Sequence, residues 1–177
     1  MGWIPFDNRL NENEFYATIG KALFLCQHFE RTCKNMFMWF SLTKALSNEQ
    51  FQFLSQEHRD YVDRLLSLFL GDTIKGFVGK FTTMFSQYEI DTLKSAKDSR
   101  NYICHESEID LIFAPVGPSY KWNHDETKLK QHIGNIVEGD FIVSTCSYEF
   151  HEKESGLFKD RNLYVKTLTN WVLRENG

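Results

Sequence analysis

The sequence predicts an all-α fold, an up-and-down bundle of four to six helices, on three observations. Apolar residues recur at steps of three and four over long stretches, the period of one helix face. Turn formers are scarce, with three Pro and ten Gly in 177 residues. No Asn-Gly or Asp-Gly pair separates two alternating apolar runs, as a β-hairpin would need. An apolar fraction of 42%, with 16 Phe, 7 Tyr and 4 Trp, supplies bulky material for one core, so 1–177 reads as a single helical domain.

The first helix is predicted between Glu12 and about Leu46, where Phe15, Ile19, Ala22, Cys26, Phe29, Cys33, Phe37 and Phe40 alternate steps of four and three. Its length suits a bundle or a dimer seam. "SNEQ", residues 47–50, has the form of a capping box, Ser47 facing forward and Gln50 reaching back, and predicts a second helix from about Asn48. That helix would bury Phe51, Leu54, His58, Tyr61, Leu65 and Leu68 and stop at Gly71. Residues 73–85 are apolar but carry Gly76 and Gly79, each costing a helix about 1 kcal/mol relative to Ala, and read as a short helix or ordered connector.

A third strong helix should start near Gln87 and bury Ile90, Leu93, Ala96 and Ile103. Residues 109–127 hold two prolines with Tyr120 and Trp122, an extended loop whose aromatics either stack on unpaired bases or anchor the loop. Asp125 is placed to cap the next helix, over 126–154, with the stripe Leu129, Ile133, Ile136, Phe141 and Cys146 and with Gly134 and Gly139 as bending points. A last helix after Gly156 should bury Leu163, Val165, Leu168, Trp171 and Val172.

The net charge of −4 gives no overall attraction to nucleic acid or an anionic membrane, so any such contact must be local. Lys94, Lys97 and Arg100, at steps of three, form the local basic ridge. The four cysteines show no C-x-x-C spacing, and "MGWIPFDNRL" lacks the layout of a signal peptide, which together predict a cytoplasmic protein with reduced thiols. No apolar run approaches the roughly 18–20 residues of a membrane span, so no membrane partner is expected.

The stretch "SRNYICHE", residues 99–106, carries the candidate chemistry. Arg100 offers a planar fork of donors suited to phosphate oxygens. His105 has an imidazole able to take and give a proton near neutrality. Asn101 can orient either group without adding charge. On a straight helix residues five apart diverge by about 140° and 7.5 Å of rise, so Arg100 and His105 would separate while Asn101 and His105 share a face. Bringing Arg and His to one phosphate requires a kink or unwinding, or a second protomer across a two-fold axis; the favoured arrangement is a symmetric dimer lining one cleft. The bland reading of the same residues is a hydrated helix end, where cations complement the helix dipole.

"RNYICH", with Arg100, the polar follower Asn101 and His105 near the end of a helix in an all-helical domain of this size, resembles the HEPN superfamily. The long opening helix with Glu30 and the later amphipathic helices are similar to that family's core. The resemblance implies a metal-independent endoribonuclease of the toxin or phage-defence type, acting as a homodimer on RNA through attack by the ribose 2′-OH. It assigns acid-base transfer to His105, stabilisation of the transition-state charge to Arg100 and orientation to Asn101, with a 2′,3′-cyclic phosphate as product. It implies a possible antitoxin or defence-system partner, and no cofactor or metal. Toxins paired with a nucleotidyltransferase antitoxin carry a Tyr two residues after the His; here that place is Ser107. The family also holds inactive modules that bind nucleotides or proteins, for which the Phe-rich first-helix stripe would be the docking face.

Other features carry weaker chemistry. His105-Glu106, His124-Asp125 and His151-Glu152 lack the H-E-x-x-H spacing that aligns two imidazoles on one helical face. Arg161-Asn162 repeats the Arg-Asn pair without a following His and reads as the polar first turn of the last helix. Cys104, about 100° from His105 on a helix, reads as a packed or half-buried thiol.

Overall fold

The computed structural model describes residues 12–81, 83–106, 126–152 and 160–173. Among them it is an all-helical bundle with no strand: α1 (Glu12–Ser47), α2 (Gln56–Leu66), α3 (Leu70–Lys80), α4 (Gln87–Asn101), a π-helical turn (Tyr102–Glu106), α5 (Glu126–Glu152) and α6 (Arg161–Leu173). The predicted loop with Tyr120 and Trp122, its cap Asp125 and the His124-Asp125 pair lie outside the described residues, as does Ser107.

The four-three stepping of α1 buries Ala22, Cys26, Phe29, Cys33, Phe37 and Phe40 in one cluster that reaches every other helix. Leu65 joins it from α2, Ile74 and Phe77 from α3, Leu93 and Ala96 from α4, Ile133 and Ile136 from α5, and Val172 from α6. A fully buried Phe or Leu contributes about 1.5–3 kcal/mol, so this shared contact is what makes α1 the centre of the bundle. The phenylalanine stripe is therefore spent on the chain's own core. Phe37 stands edge-on to Phe77 and Phe81 at 5.5 and 5.9 Å, and Phe29, Phe37 and Phe40 are all buried. The side chain of Phe15 is outside the described set.

"SNEQ" ends α1 instead of starting α2. Glu49 adopts φ 53, its N–H donates to Leu46 O at 3.0 Å, and the N–H of Gln50 donates to Ala45 O at 3.1 Å, the paired bonds of a Schellman stop. The Ser47 hydroxyl donates back to Lys44 O at 3.0 Å and so caps nothing ahead of it. The helix start comes later, at Ser55, whose oxygen accepts the His58 N–H at 3.2 Å. Phe51 and Leu54 thus fall in the connection, and Leu54 is exposed. The capping box is at Ser86 and Glu89, opening α4.

Gly71 does not stop a helix; it lies in the first turn of α3, an eleven-residue helix that bears out the short-helix alternative for the glycine-broken stretch, starting earlier and ending sooner than 73–85. The two glycines did not prevent this because packing outweighs propensity: a Cβ on Gly76 would stand 2.4 Å from the Phe37 ring, so only Gly lets α3 close on α1. In α6, Val172 is buried as expected, but Leu163 and Trp171 face outward. α6 instead gains polar ties: Trp171 O accepts from Lys21 at 2.5 Å, and Arg161 pairs with Glu138 at 2.7 Å. Asp140, on α5 and buried, accepts from the Tyr164 hydroxyl at 2.6 Å and lies 3.3 Å from His28 Nδ1, joining α1, α5 and α6. Burial pushes its carboxyl up, against the pull of Tyr164 and His28.

α5 runs continuously through Gly134 and Gly139. Gly139 serves a close approach: a Cβ there would meet Ala96 Cβ at 2.5 Å and the Phe29 ring at 3.1 Å, whereas around Gly134 nothing lies within 4 Å. Helix propensity favours Ala over Gly by about 1 kcal/mol, while forcing a methyl into a packed core costs about 1–3 kcal/mol. Gly139→Ala is expected to lower the urea midpoint and Gly134→Ala to raise it; equal shifts in the two variants would contradict the close α4–α5 contact.

Candidate functional site

The end of α4 changes pitch immediately after the Arg-Asn pair. One π-helical turn, Tyr102–Glu106, follows Asn101. A π turn closes through i→i+5 bonds, so residues five apart, which diverge on an α-helix, are brought over one another. The turn is held from below by Tyr102 and Ile103, both buried in the core, while His105 is exposed. Tyr102 stacks on His132 of α5 at 4.0 Å between ring centroids. Just before the turn the Ser99 hydroxyl, also buried, meets His132 Nδ1 and the Asn135 amide, each at 3.0 Å. These contacts lock α4 to α5 where the pitch changes.

The consequence is that Arg100 Nη1 lies 3.3 Å from His105 Nε2 and 3.2 Å from Asn101 Oδ1. All three predicted residues meet within one chain, by local unwinding and without a two-fold axis. A guanidinium only donates, so this contact assigns Nε2 as the acceptor and places the ring proton of a neutral imidazole on Nδ1.

The other side of Arg100 is anchored to α1. Its Nη2 donates to Glu30 Oε2 at 2.5 Å, and the second oxygen of Glu30 takes Lys34 Nζ at 2.9 Å, a bond within α1 at the i,i+4 spacing. The Arg100 and Glu30 side chains are only 23% and 20% exposed, so the pair is shielded far more than a surface ion pair. Burial pushes the Glu30 carboxyl up, but Lys34 and Arg100 outweigh it and hold the group below the usual carboxylate range. Glu30 appeared in the sequence only as part of the opening helix. Its link to a residue seventy positions away had no local signal.

Cys104 lies within the turn, half-buried, and interacts with Cys26, buried on α1; the side-chain interaction with Cys104 first, and then burial, push the Cys26 thiol far up. Cys104 moves the other way, lowered to about 7 by the bond from Cys26 with help from Arg100, against burial. Cys104 is thus half-buried, within the expected range, and its thiol is held below the ordinary value. Cys33 is pushed well up by burial, and Cys146 up to about 11 for the same first reason.

The decoy pair Arg161-Asn162 does open α6, with Arg161 occupied by Glu138 and Tyr88. His151 is exposed with its ring edge-on to Trp39 at 5.7 Å. Among the described residues no three His, Cys, Asp or Glu side chains gather as a metal site, and no helix is long and apolar enough to cross a membrane. No protein-family model, curated protein or solved structure matches the chain.

Two measurements follow from this geometry. Glu30→Gln should lower stability by about 1–3 kcal/mol in urea titration, because it removes the charge facing a shielded guanidinium. The sign with pH is fixed by the lowered carboxyl: the pair stabilises above the unfolded value of about 4.3 and is lost as pH falls through the lower folded value, so the variant should flatten the acid limb of the stability curve. In iodoacetamide labelling followed by peptide mass spectrometry, Cys104 should react first, with a midpoint near 7, ahead of Cys33 and Cys146; labelling of Cys104 no faster than Cys146 would count against the Cys26 hydrogen bond.

Proposed function

We propose that the chain is a metal-independent endoribonuclease of the HEPN type that cleaves RNA through its own 2′-OH. The observation that carries the reading is the π-helical turn that sets Arg100 and His105 3.3 Å apart on an accessible surface, with Asn101 on the same guanidinium. A structural helix end has no need of such a turn, and π turns recur at functional sites because they cost hydrogen-bond regularity.

In this mechanism the scissile phosphate draws the Arg100 fork away from His105, and Nε2 is freed to take the 2′-OH proton. The alkoxide attacks phosphorus in line and the P–O5′ bond breaks, the 5′-oxygen taking a proton from water or from the acid of a second set, to give a 2′,3′-cyclic phosphate and a 5′-OH end. Arg100, already desolvated on its Glu30 side, donates to the phosphoryl oxygens as charge builds on them. Asn101 holds the guanidinium plane through its Oδ1. A homodimer would bring two such sets to one groove, one supplying the acid and the other the base. A toxin or anti-phage role, with an antitoxin or defence-system partner in a cytoplasmic setting, is the biological context that the resemblance to HEPN proteins supports.

The test incubates wild type, Arg100→Ala and His105→Ala with RNA in EDTA. Wild type should cut and leave cyclic phosphate ends, each variant should lose at least about 100-fold in rate, and a substrate with 2′-deoxy sugars should resist. Cleavage that survives both substitutions, or that requires a divalent metal, would falsify the assignment. Sedimentation of the wild type checks the dimer separately.

A further inference from the structure

A groove of about 630 Å³ runs between α3 and α4 and includes Arg100, Asn101 and Glu30 in its wall. Its α4 side is the basic ridge, Lys94, Lys97 and Arg100, and its α3 side is apolar, with Phe69, Ile74 and Val78. Lys75 adds a fourth cation, so the lining holds four positive groups against the single carboxylate of Glu30. Asp72, Asp91 and Asp98 pair with Lys75, Lys94 and Lys97 at 3.5, 3.1 and 2.9 Å, but these are open pairs between groups adjacent on one helix. Such pairs are weak and readily exchange a carboxylate for a phosphate.

Phe69 is the unusual member of the wall. Its backbone is fixed, since its carbonyl accepts from the N–H groups of Asp72 and Thr73 at 3.0 Å and from the Thr73 hydroxyl at 3.2 Å. Its ring is nevertheless 78% exposed, the most open of the large apolar side chains among the described residues. The core therefore does not explain the ring, while the backbone holds it at the mouth of a cationic groove. An exposed ring beside a line of cations is the pairing that binds single-stranded nucleic acid, with bases stacked and the backbone tracked by charge. A second groove, of about 360 Å³, has Asp91 and Glu138 in its lining with no Lys or Arg, and would repel the same ligand.

We propose that the α3–α4 groove binds a single RNA strand alongside Arg100, with one base stacked on Phe69 and its flanking phosphates held by Lys94 and Lys97. This rests on the ribonuclease reading for its orientation toward Arg100, and it names what that reading leaves open: the substrate is an unpaired strand recognised by a stacked base. A duplex would keep its bases from Phe69.

The test measures fluorescence anisotropy with a short labelled oligodeoxynucleotide, which lacks the 2′-OH and cannot be cut, and with its abasic counterpart. The wild type should bind the base-bearing strand about tenfold more tightly than the abasic one, and Phe69→Ala, at an exposed position, should bring the two to parity. Lys94→Ala with Lys97→Ala should weaken both strands alike and make the salt dependence of log K shallower by about 1.4. Discrimination that survives Phe69→Ala overturns the proposal, as does the absence of any oligonucleotide binding. Absence of binding together with self-association that Phe69→Ala abolishes would assign the groove to a second copy of the chain and overturn it likewise. Base-dependent binding without RNA cleavage would support the groove while removing the ribonuclease reading; cleavage without dependence on Phe69 would do the reverse.

Discussion

The Glu30–Arg100 pair is the constraint around which the site is built. A guanidinium at the end of a helix ordinarily spreads over many rotamers, and holding it in one costs side-chain entropy. Here one edge of the fork is fixed at 2.5 Å on a shielded carboxylate of α1, so the opposite edge points in a defined direction. Lys34 completes the arrangement by taking the second carboxylate oxygen, so that both oxygens of Glu30 are held by cations. The bundle core does the remaining work, because α1 and α4 can present these residues to each other only if their apolar faces are already in register.

The π-helical turn converts that anchored arginine into part of a site. Its extra residue cancels the divergence between positions 100 and 105, and it is stable because Tyr102 and Ile103 are buried on its inner face and Tyr102 stacks on His132. The strain of an irregular turn is thus offset by packing on one side, and the other side is left to display His105. Cys104 lies between the two faces, half-buried against Cys26, and feels the same guanidinium. The thiol is lowered first by its interaction with Cys26, and the guanidinium that holds the imidazole adds to that effect.

Glycines set how closely the helices can approach. Gly76 admits the Phe37 ring and Gly139 admits Ala96 and Phe29, so α3 and α5 come nearer to α1 and α4 than side chains would allow. The approach of α3 has a functional side as well: it forms one wall of the groove that ends at Arg100. A residue that weakens a helix in isolation here determines where a wall of the groove lies.

The all-helical class, the span of α1, the buried face of α4 and the apolar stripe of α5 were legible from periodicity alone, because a 3.6-residue repeat depends only on neighbours within one or two turns. The candidate residues Arg100, Asn101 and His105 were legible as residue types in a pattern. Helix boundaries were less so: Ser47 and Gln50 have the composition of a start, yet the left-handed Glu49 makes them a stop, and that choice lies in a dihedral angle that composition does not specify. The exposure of Leu163 and Trp171 depended on which side of α6 met α1. Only the tertiary structure decided that Arg100 and His105 meet within one chain and that Glu30 and Cys26 belong beside them. The physical reason is the same in each case: sequence spacing prescribes the geometry of a regular helix, whereas a π turn and a contact across seventy residues are selected by the packing of the whole core.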